Sequence, residues 1–137
     1  MRQLLADAPD AHVLMCSRDA ARGAAAREAL LAEHPGAAAR VEALQLDVNS
    51  DASTAAAAAA LSAAGVRLAG LVNNAGIVEG PPGAVIDTNL HGVKRVCDAL
   101  LPLLTPGARI VNISSGAAPM FVAKCSDSRQ ARAPHRP

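Results

Sequence analysis

The sequence has almost no aromatic residues: 1% of its 137 positions, with no tyrosine, no tryptophan and Phe121 as the single phenylalanine. A core built from Ala, Val and Leu buries little area per residue, so the composition predicts marginal stability. The absence of tyrosine also leaves any catalytic serine without a phenol to work with. Lysine is nearly absent too, being confined to Lys94 and Lys124. A net charge of +1 offers no electrostatic case for nucleic acid or an anionic membrane as a partner. No apolar run is long enough to span a bilayer, the alanine tract 55–60 being far too short. Met1–Asp10 lacks the apolar segment of a secretory signal. The three cysteines, Cys16, Cys97 and Cys125, are odd in number and far apart. They predict no metal site and no disulfide framework, and point to a reducing, cytoplasmic setting.

What is present is an alternation of strand-like and helix-like segments. The apolar run Val13–Cys16 reads as a strand buried on both faces. The following "SRDAARGAAAREALLAEHPG" reads as a helix capped by Ser17 or Asp19 and ended by Pro35-Gly36. A second strand, "RVEALQLDV", leads to an alanine-rich helix capped by Asn49, Ser50 or Asp51 and stopped at Gly65. A third strand, "RLAGLVNNAG", precedes the helix "VIDTNLHGVKRVCDALLPLL". There, Ile86, Leu90, Val93, Cys97, Leu100, Leu101 and Leu104 predict one buried stripe. "ARIVNIS" is the fourth strand. Strand–helix alternation implies parallel βαβ units in a doubly wound α/β sheet. The domain is expected over residues 1–124. A disordered tail is expected over 125–137, closing with the unpatterned "ARAPHRP".

Ligands of such sheets bind at the C-terminal ends of the strands. Ser17, Arg18, Asp47, Asn73, Asn74, Ser114 and Ser115 all close apolar strands, and four strands ending alike favour a shared site. The turn "NNAG" can satisfy its own backbone or wall a flat ligand, and the motif alone supports both. Arg18 offers a rigid fork of donors suited to a phosphate, against the alternative of a solvated arginine in a first helical turn. Asp47, taken singly, reads as a cap or turn carboxylate. Asn89, inside a helix near Gly92, either faces solvent or has a specific partner. The four histidines are scattered and carry no assigned role.

"CSRD", "LDV", "LVNNAG", "DTNLHGV" and "RIVNISS", in this order and spacing, resemble the short-chain dehydrogenase/reductase family. "TNLHGVKRVCDALLPLLTPGARIVNISS" followed by "AKCSDSRQ" is similar to its carbonyl reductase branch. The resemblance implies NADPH-dependent reduction of a small ketone, aldehyde or quinone to an alcohol. It implies that Arg18 holds the 2′-phosphate of NADP(H), that Asp47 and Val48 flank the adenine, and that Asn74, Ala75 and Gly76 line the adenosine ribose. Asn89 would steady the active-site helix and a proton-relay water, and Ser115 would hydrogen-bond the substrate carbonyl.

The departures from the family pattern are large. The TGxxxGxG turn that seats the pyrophosphate on a helix N-terminus is absent, and so is the YxxxK pair that donates the proton. The expected fold is therefore a partial Rossmann-like sheet of about four strands lacking its first, central strand. In the usual strand order 3-2-1-4-5-6, that loss separates the first two strands here from the last two. Either those halves pair directly, or a gap opens and the free chain is unstable. The chain as given is expected to be catalytically incompetent. The alternatives are a non-catalytic nucleotide-binding or interaction module, or a fragmentary gene product. Oligomeric state and substrate identity stay open at this level.

Overall fold

A computed structural model describes residues 1–125. The elements run α1 (Arg2–Asp7), β1 (Val13–Ser17), α2 (Ala20–Glu33), β2 (Val41–Gln45), α3 (Asp51–Ala63), β3 (Leu68–Asn73), α4 (Pro82–Ile86), α5 (Val93–Leu100), β4 (Leu104–Asn112) and α6 (Ala117–Ala123). The expected tail falls outside the described residues except for Cys125. Among the described residues no helix is long and apolar enough to cross a membrane.

The strands pair as two separate parallel ladders, β1 with β2 and β3 with β4. Direct pairing of β1 with β3 does not occur, so of the two arrangements left open by a missing central strand the ladders take the separated one. Pleating sends alternate side chains of the first ladder to opposite faces. Val13, Met15 and the fully buried Val41 meet Leu5 of α1, Leu30 of α2 and Ala37. Leu14, Leu44 and the adjoining Leu46 face a second cluster of Ala57, Leu61, Val96, Leu100 and Leu103. Leu68 and Leu71 of β3 pack against that same cluster. One layer of α3 and α5 thus underlies both ladders.

The predicted caps form where the chemistry allows. Asp19 accepts from the Arg22 amide at 2.9 Å, and Ser50 from the Ser53 amide at 3.1 Å. Gly65 takes φ +67°, while Val66 N–H reaches Leu61 carbonyl at 2.9 Å and Gly65 N–H reaches Ser62 at 3.0 Å. That pair of bonds is a Schellman ending, which favours glycine because a Cβ is disfavoured at positive φ. Gly65→Ala is expected to lower stability by about 1 kcal/mol, read as a lower urea midpoint with an unchanged slope. The alanine tract supplies helicity more than core: only Ala57 of it is fully buried, in register with Thr54 and Leu61.

Two readings of the sequence need correction. The third helix is not continuous. It begins at Pro82, widens into a π-helical turn over Asp87–Gly92, and resumes as α5. Its buried face is Thr88, Gly92, Val96 and Leu100. Ile86, Leu90 and Leu101 from the predicted stripe are exposed. Gly92 decides the phase, because its missing side chain lets the helix press against Val48. A Cβ there would lie 2.9 Å from Val48 Cγ2. The fourth strand also starts earlier, at Leu104, and shifts register before Arg109. Pro106 lacks an amide donor and Gly107 adopts φ +81°, so the ladder bulges at that point.

At the N-terminus, Arg2 grips Glu33 of α2 through two bonds of 2.5 and 2.7 Å. Both partners are exposed, so the pair orders α1 more than it stabilises the fold. The hydrogen bond from Arg2 holds the Glu33 carboxyl below its ordinary range. A depressed carboxylate pKa contributes above the ordinary value and is lost as pH falls through the folded one. Protection of α1 amides is therefore expected to fall on acidification. Glu33→Gln should remove this part of the pH dependence.

Candidate functional site

The sequence-predicted residues gather at the C-terminal ends of the strands. At the end of β1, Ser17 Oγ donates to the Asp19 carbonyl at 2.9 Å, and Asp19 turns its carboxylate back to cap α2. Between them Arg18 is exposed, and its guanidinium makes no hydrogen bond or ion pair among the described residues. Only its carbonyl is held, by Gln45 Nε2 at 3.3 Å, which ties the ends of β1 and β2 together. Just past β2, Asp47 Oδ1 accepts from the Asn49 amide at 2.9 Å, while the Asp47 amide donates to Ser53 Oγ at 2.9 Å. The bland reading of Asp47 thus describes its local work: it closes an Asx turn. Val48 is half-buried beneath Gly92.

At the ends of β3 and β4, Asn73 and Asn112 are register partners. Nδ2 of the buried Asn73 donates to Asn112 Oδ1 at 2.8 Å and to Cys97 Sγ at 3.2 Å. Beyond it Asn74, Ala75 and Gly76 form an exposed turn. Asn89 closes that turn. Its Oδ1 accepts from the Ile77 amide and its Nδ2 donates to the Ile77 carbonyl, both at 2.8 Å. A Cβ on Gly76 would stand 3.2 Å from Asn89 Oδ1, so the glycine makes room for the clamp. Asn89 therefore has the specific partner that a polar residue within a helix calls for. It sits in the π-helical turn, a distortion often found at functional sites.

Ser114 and Ser115 follow β4 and are exposed. Ser115 Oγ accepts from the Ala117 amide at 3.1 Å, at the start of α6. That bond uses an oxygen lone pair and leaves the hydroxyl proton available to a ligand. The structure does not bring Ser115 into hydrogen bonding with Asn89 or with the Asn74–Gly76 turn. The helix α6 itself was not legible in the sequence.

Two joints were missed by sequence reasoning. Arg95 bonds the Val48 carbonyl at 3.1 Å, Asp87 at 2.9 Å and Asp51 at 2.7 Å. The hydrogen bond it donates to Asp87 leads in pushing its guanidinium further toward the charged form. Asn49 Nδ2 donates to the buried Thr88 Oγ1 at 2.9 Å. Both join the β2–α3 turn to the segment carrying Asn89. The contacts that cross between the two segments, Asn49–Thr88 and Val48–Arg95, lie 39 and 47 positions apart, and no local pattern reveals them. Among the described residues no group of three His, Cys, Asp or Glu side chains could hold a metal ion.

Parallel strands ending in this polar rim match a known family, whose short chain dehydrogenase model covers residues 3–126. The chain belongs to the short-chain dehydrogenase family. The chain is 35% identical over 129 residues to the NADPH carbonyl reductase 3 of Rattus norvegicus, covering 88% of the chain and 45% of the relative. It is 37% identical over 127 residues to the NADPH carbonyl reductase 1 of Pongo abelii, covering 86% and 44%. It thus spans less than half the length of these curated relatives. Among solved structures, the NADPH-bound carbonyl reductase from chicken fatty liver aligns with a TM-score of 0.67 at 29% identity, over 85% of this chain and 51% of that one. The menthone neomenthol reductase from Mentha piperita aligns with a TM-score of 0.72 at 26% identity, over 95% and 64%.

Proposed function

We propose that this short-chain dehydrogenase is of the NADPH-dependent carbonyl reductase type, and that the chain holds the adenosine half of NADP(H) without itself completing carbonyl reduction. The observation that carries the reading is Arg18: an exposed guanidinium, unpaired among the described residues, whose backbone carbonyl is bonded to Gln45 at the end of β2, near the Asp47 turn. A free fork of donors at that rim suits a ribose phosphate. Asp47 and Val48 would flank the adenine, and Asn74, Ala75 and Gly76 the ribose.

The donor set fits only that half of the cofactor. The sequence has no glycine-rich turn to seat the pyrophosphate on a helix N-terminus. At the other end, bound NADPH would supply hydride to the carbonyl carbon of a ketone, aldehyde or quinone. The free hydroxyl proton of Ser115 would bond the carbonyl oxygen and favour charge developing there. Asn89 acts as a positioning residue, holding the Asn74–Ile77 turn through Ile77. The proton for the resulting alkoxide has no phenol donor, and general acid catalysis typically contributes about 10²–10⁴-fold. A cytoplasmic setting goes with this reading.

Binding of NADPH and NADH is expected to differ by about tenfold or more, from a charge-assisted contact at Arg18. Arg18→Ala should erase the difference. Oxidation of NADPH with a quinone or an aldehyde should not exceed the buffer rate. Equal affinity of the unaltered chain for the two nucleotides would overturn the cofactor assignment, and turnover above the blank would overturn the predicted inactivity.

A further inference from the structure

We propose that Arg95 is a positioning residue for the nucleotide. It fixes the place of Val48, the residue read above as a wall for the adenine, a role that rests on that reading. Arg95 stands on α5 one turn beyond Gly92, and both meet Val48 in the turn that follows β2. Its guanidinium is held on three sides. Nη1 donates to the Val48 carbonyl at 3.1 Å, Nη2 donates to Asp87 Oδ1 at 2.9 Å, and Nε lies 2.7 Å from Asp51 Oδ1. The guanidinium is a rigid plane, so fixing two of its nitrogens fixes where the third points. Asp51 comes from the first turn of α3 and Asp87 from the π-helical turn. Together the two carboxylates aim Nη1 at the Val48 carbonyl.

The arrangement supplies aim more than stability. The Asp51 side chain is 87% exposed and that of Asp87 41%, and ion pairs open to water stabilise a fold little. Arg95 itself is only 24% exposed. Its charge is matched by two carboxylates and is not available to a phosphate, whereas Arg18 has no side-chain partner among the described residues. The two arginines therefore divide the work: Arg18 is free to meet the 2′-phosphate, and Arg95 holds protein. Val48 is held by α5 at both ends. Its side chain lies half-buried under Gly92, where an added Cβ would stand 2.9 Å from Cγ2, and its carbonyl is bonded to Arg95. The next residue, Asn49, is tied to the same segment through Thr88 at 2.9 Å. Removing the fork frees the carbonyl and leaves the contact with Gly92 to place Val48. Dispersion contacts weaken steeply with separation, so an adenine seated on Val48 is sensitive to a small displacement of it.

Binding of NADPH, NADH and adenosine 5′-monophosphate is measured by titration calorimetry on the complete 137-residue chain, on Arg95→Met and on Arg95→Lys, with the urea midpoint of each. Methionine keeps the length and removes the fork. All three nucleotides carry the adenine, so all three are expected to weaken by about tenfold, the effect of one lost charge-assisted hydrogen bond. The ratio of NADPH to NADH affinity should stay as it is in the unaltered chain. Lysine keeps a charge near Asp51 and Asp87, but one ammonium cannot span three acceptors. It should return the urea midpoint toward that of the unaltered chain while the affinities stay low. A purely structural Arg95 would instead make affinity follow the urea midpoint across the three chains, and that result overturns the proposal. So does a folded variant that binds like the unaltered chain, or an Arg95→Lys chain that does not fold. A changed NADPH-to-NADH ratio would put Arg95 on the phosphate itself and would equally overturn it. Failure of the nucleotide reading looks different: the unaltered chain then binds none of the three, and both proposals fall together.

Discussion

Leu100→Ala is expected to destabilise the chain by about 2–5 kcal/mol, the range for truncating a buried leucine. Leu100 is 4% exposed and belongs to the cluster shared by both ladders. Removing its side chain takes away transfer free energy and leaves a cavity that α3 can fill only by moving, and its neighbouring side chain Ala57 is too small to reach in. The loss should not be local. No strand hydrogen bonds join β1–β2 to β3–β4, so this apolar layer is a main joint between them. Exchange in β1 and β3 should therefore accelerate together. Leu30→Ala makes the contrast, because Leu30 lies in the cluster formed with α1, α2 and the first ladder. Its effect should be concentrated in β1 and β2. If Leu100→Ala accelerated only the β3–β4 half, the two ladders would not be coupled through that layer. A small domain has about 5–15 kcal/mol of stability to lose, and this one has two parallel strands without inner neighbours. The Leu100 variant is accordingly expected to be the first to unfold at ordinary temperature.

The alternation of elements and the glycine stop at Gly65 were legible because each depends on local chemistry, whereas the caps were narrowed only to Ser17 or Asp19 and to Asn49, Ser50 or Asp51, and strand order left direct pairing of the ladders and a gap both open. Reading the third helix failed at a point where local chemistry was ambiguous. Ile86, Leu90, Val93 and Cys97 lead along one plausible helical stripe and Thr88, Gly92 and Val96 along another, and both run on to Leu100, which is buried as expected. Apolar content favoured the first. Close approach favoured the second, because α5 can reach Val48 only where a residue has no side chain. The candidate site shows the same division. The residue types at the strand ends could be read directly, while their partners could not. That Asp47 closes an Asx turn, that Asn89 holds Ile77, and that Arg95 holds Val48 are consequences of packing between distant segments.

Gly92→Val tests that packing where it is tightest, and about 1–3 kcal/mol of destabilisation is expected. The backbone is not the obstacle: Gly92 has φ −61° and ψ −44°, ordinary helical values. A side chain there would even recover part of the helix propensity that glycine forgoes, some tenths of a kcal/mol for valine. The clash outweighs this gain. The first added carbon would stand 2.9 Å from Val48 Cγ2, 3.1 Å from Val48 Cβ and 3.3 Å from the Val48 carbonyl. Val48 cannot turn aside easily, because a β-branched side chain has few rotamers and its carbonyl is bonded to Arg95. The helix must back away instead, straining the Arg95 joint and the Asn49–Thr88 bond one turn earlier. Combining Gly92→Val with Val48→Ala should recover part of the loss, giving a coupling energy of about 0.5–3 kcal/mol in a double-mutant cycle. Strict additivity of the two changes would show that the helix phase is set elsewhere. The Ile77 amide offers an independent readout. Displacing the π-helical turn should open the Asn89 clamp and speed exchange at Ile77, without altering the cap at Ser50.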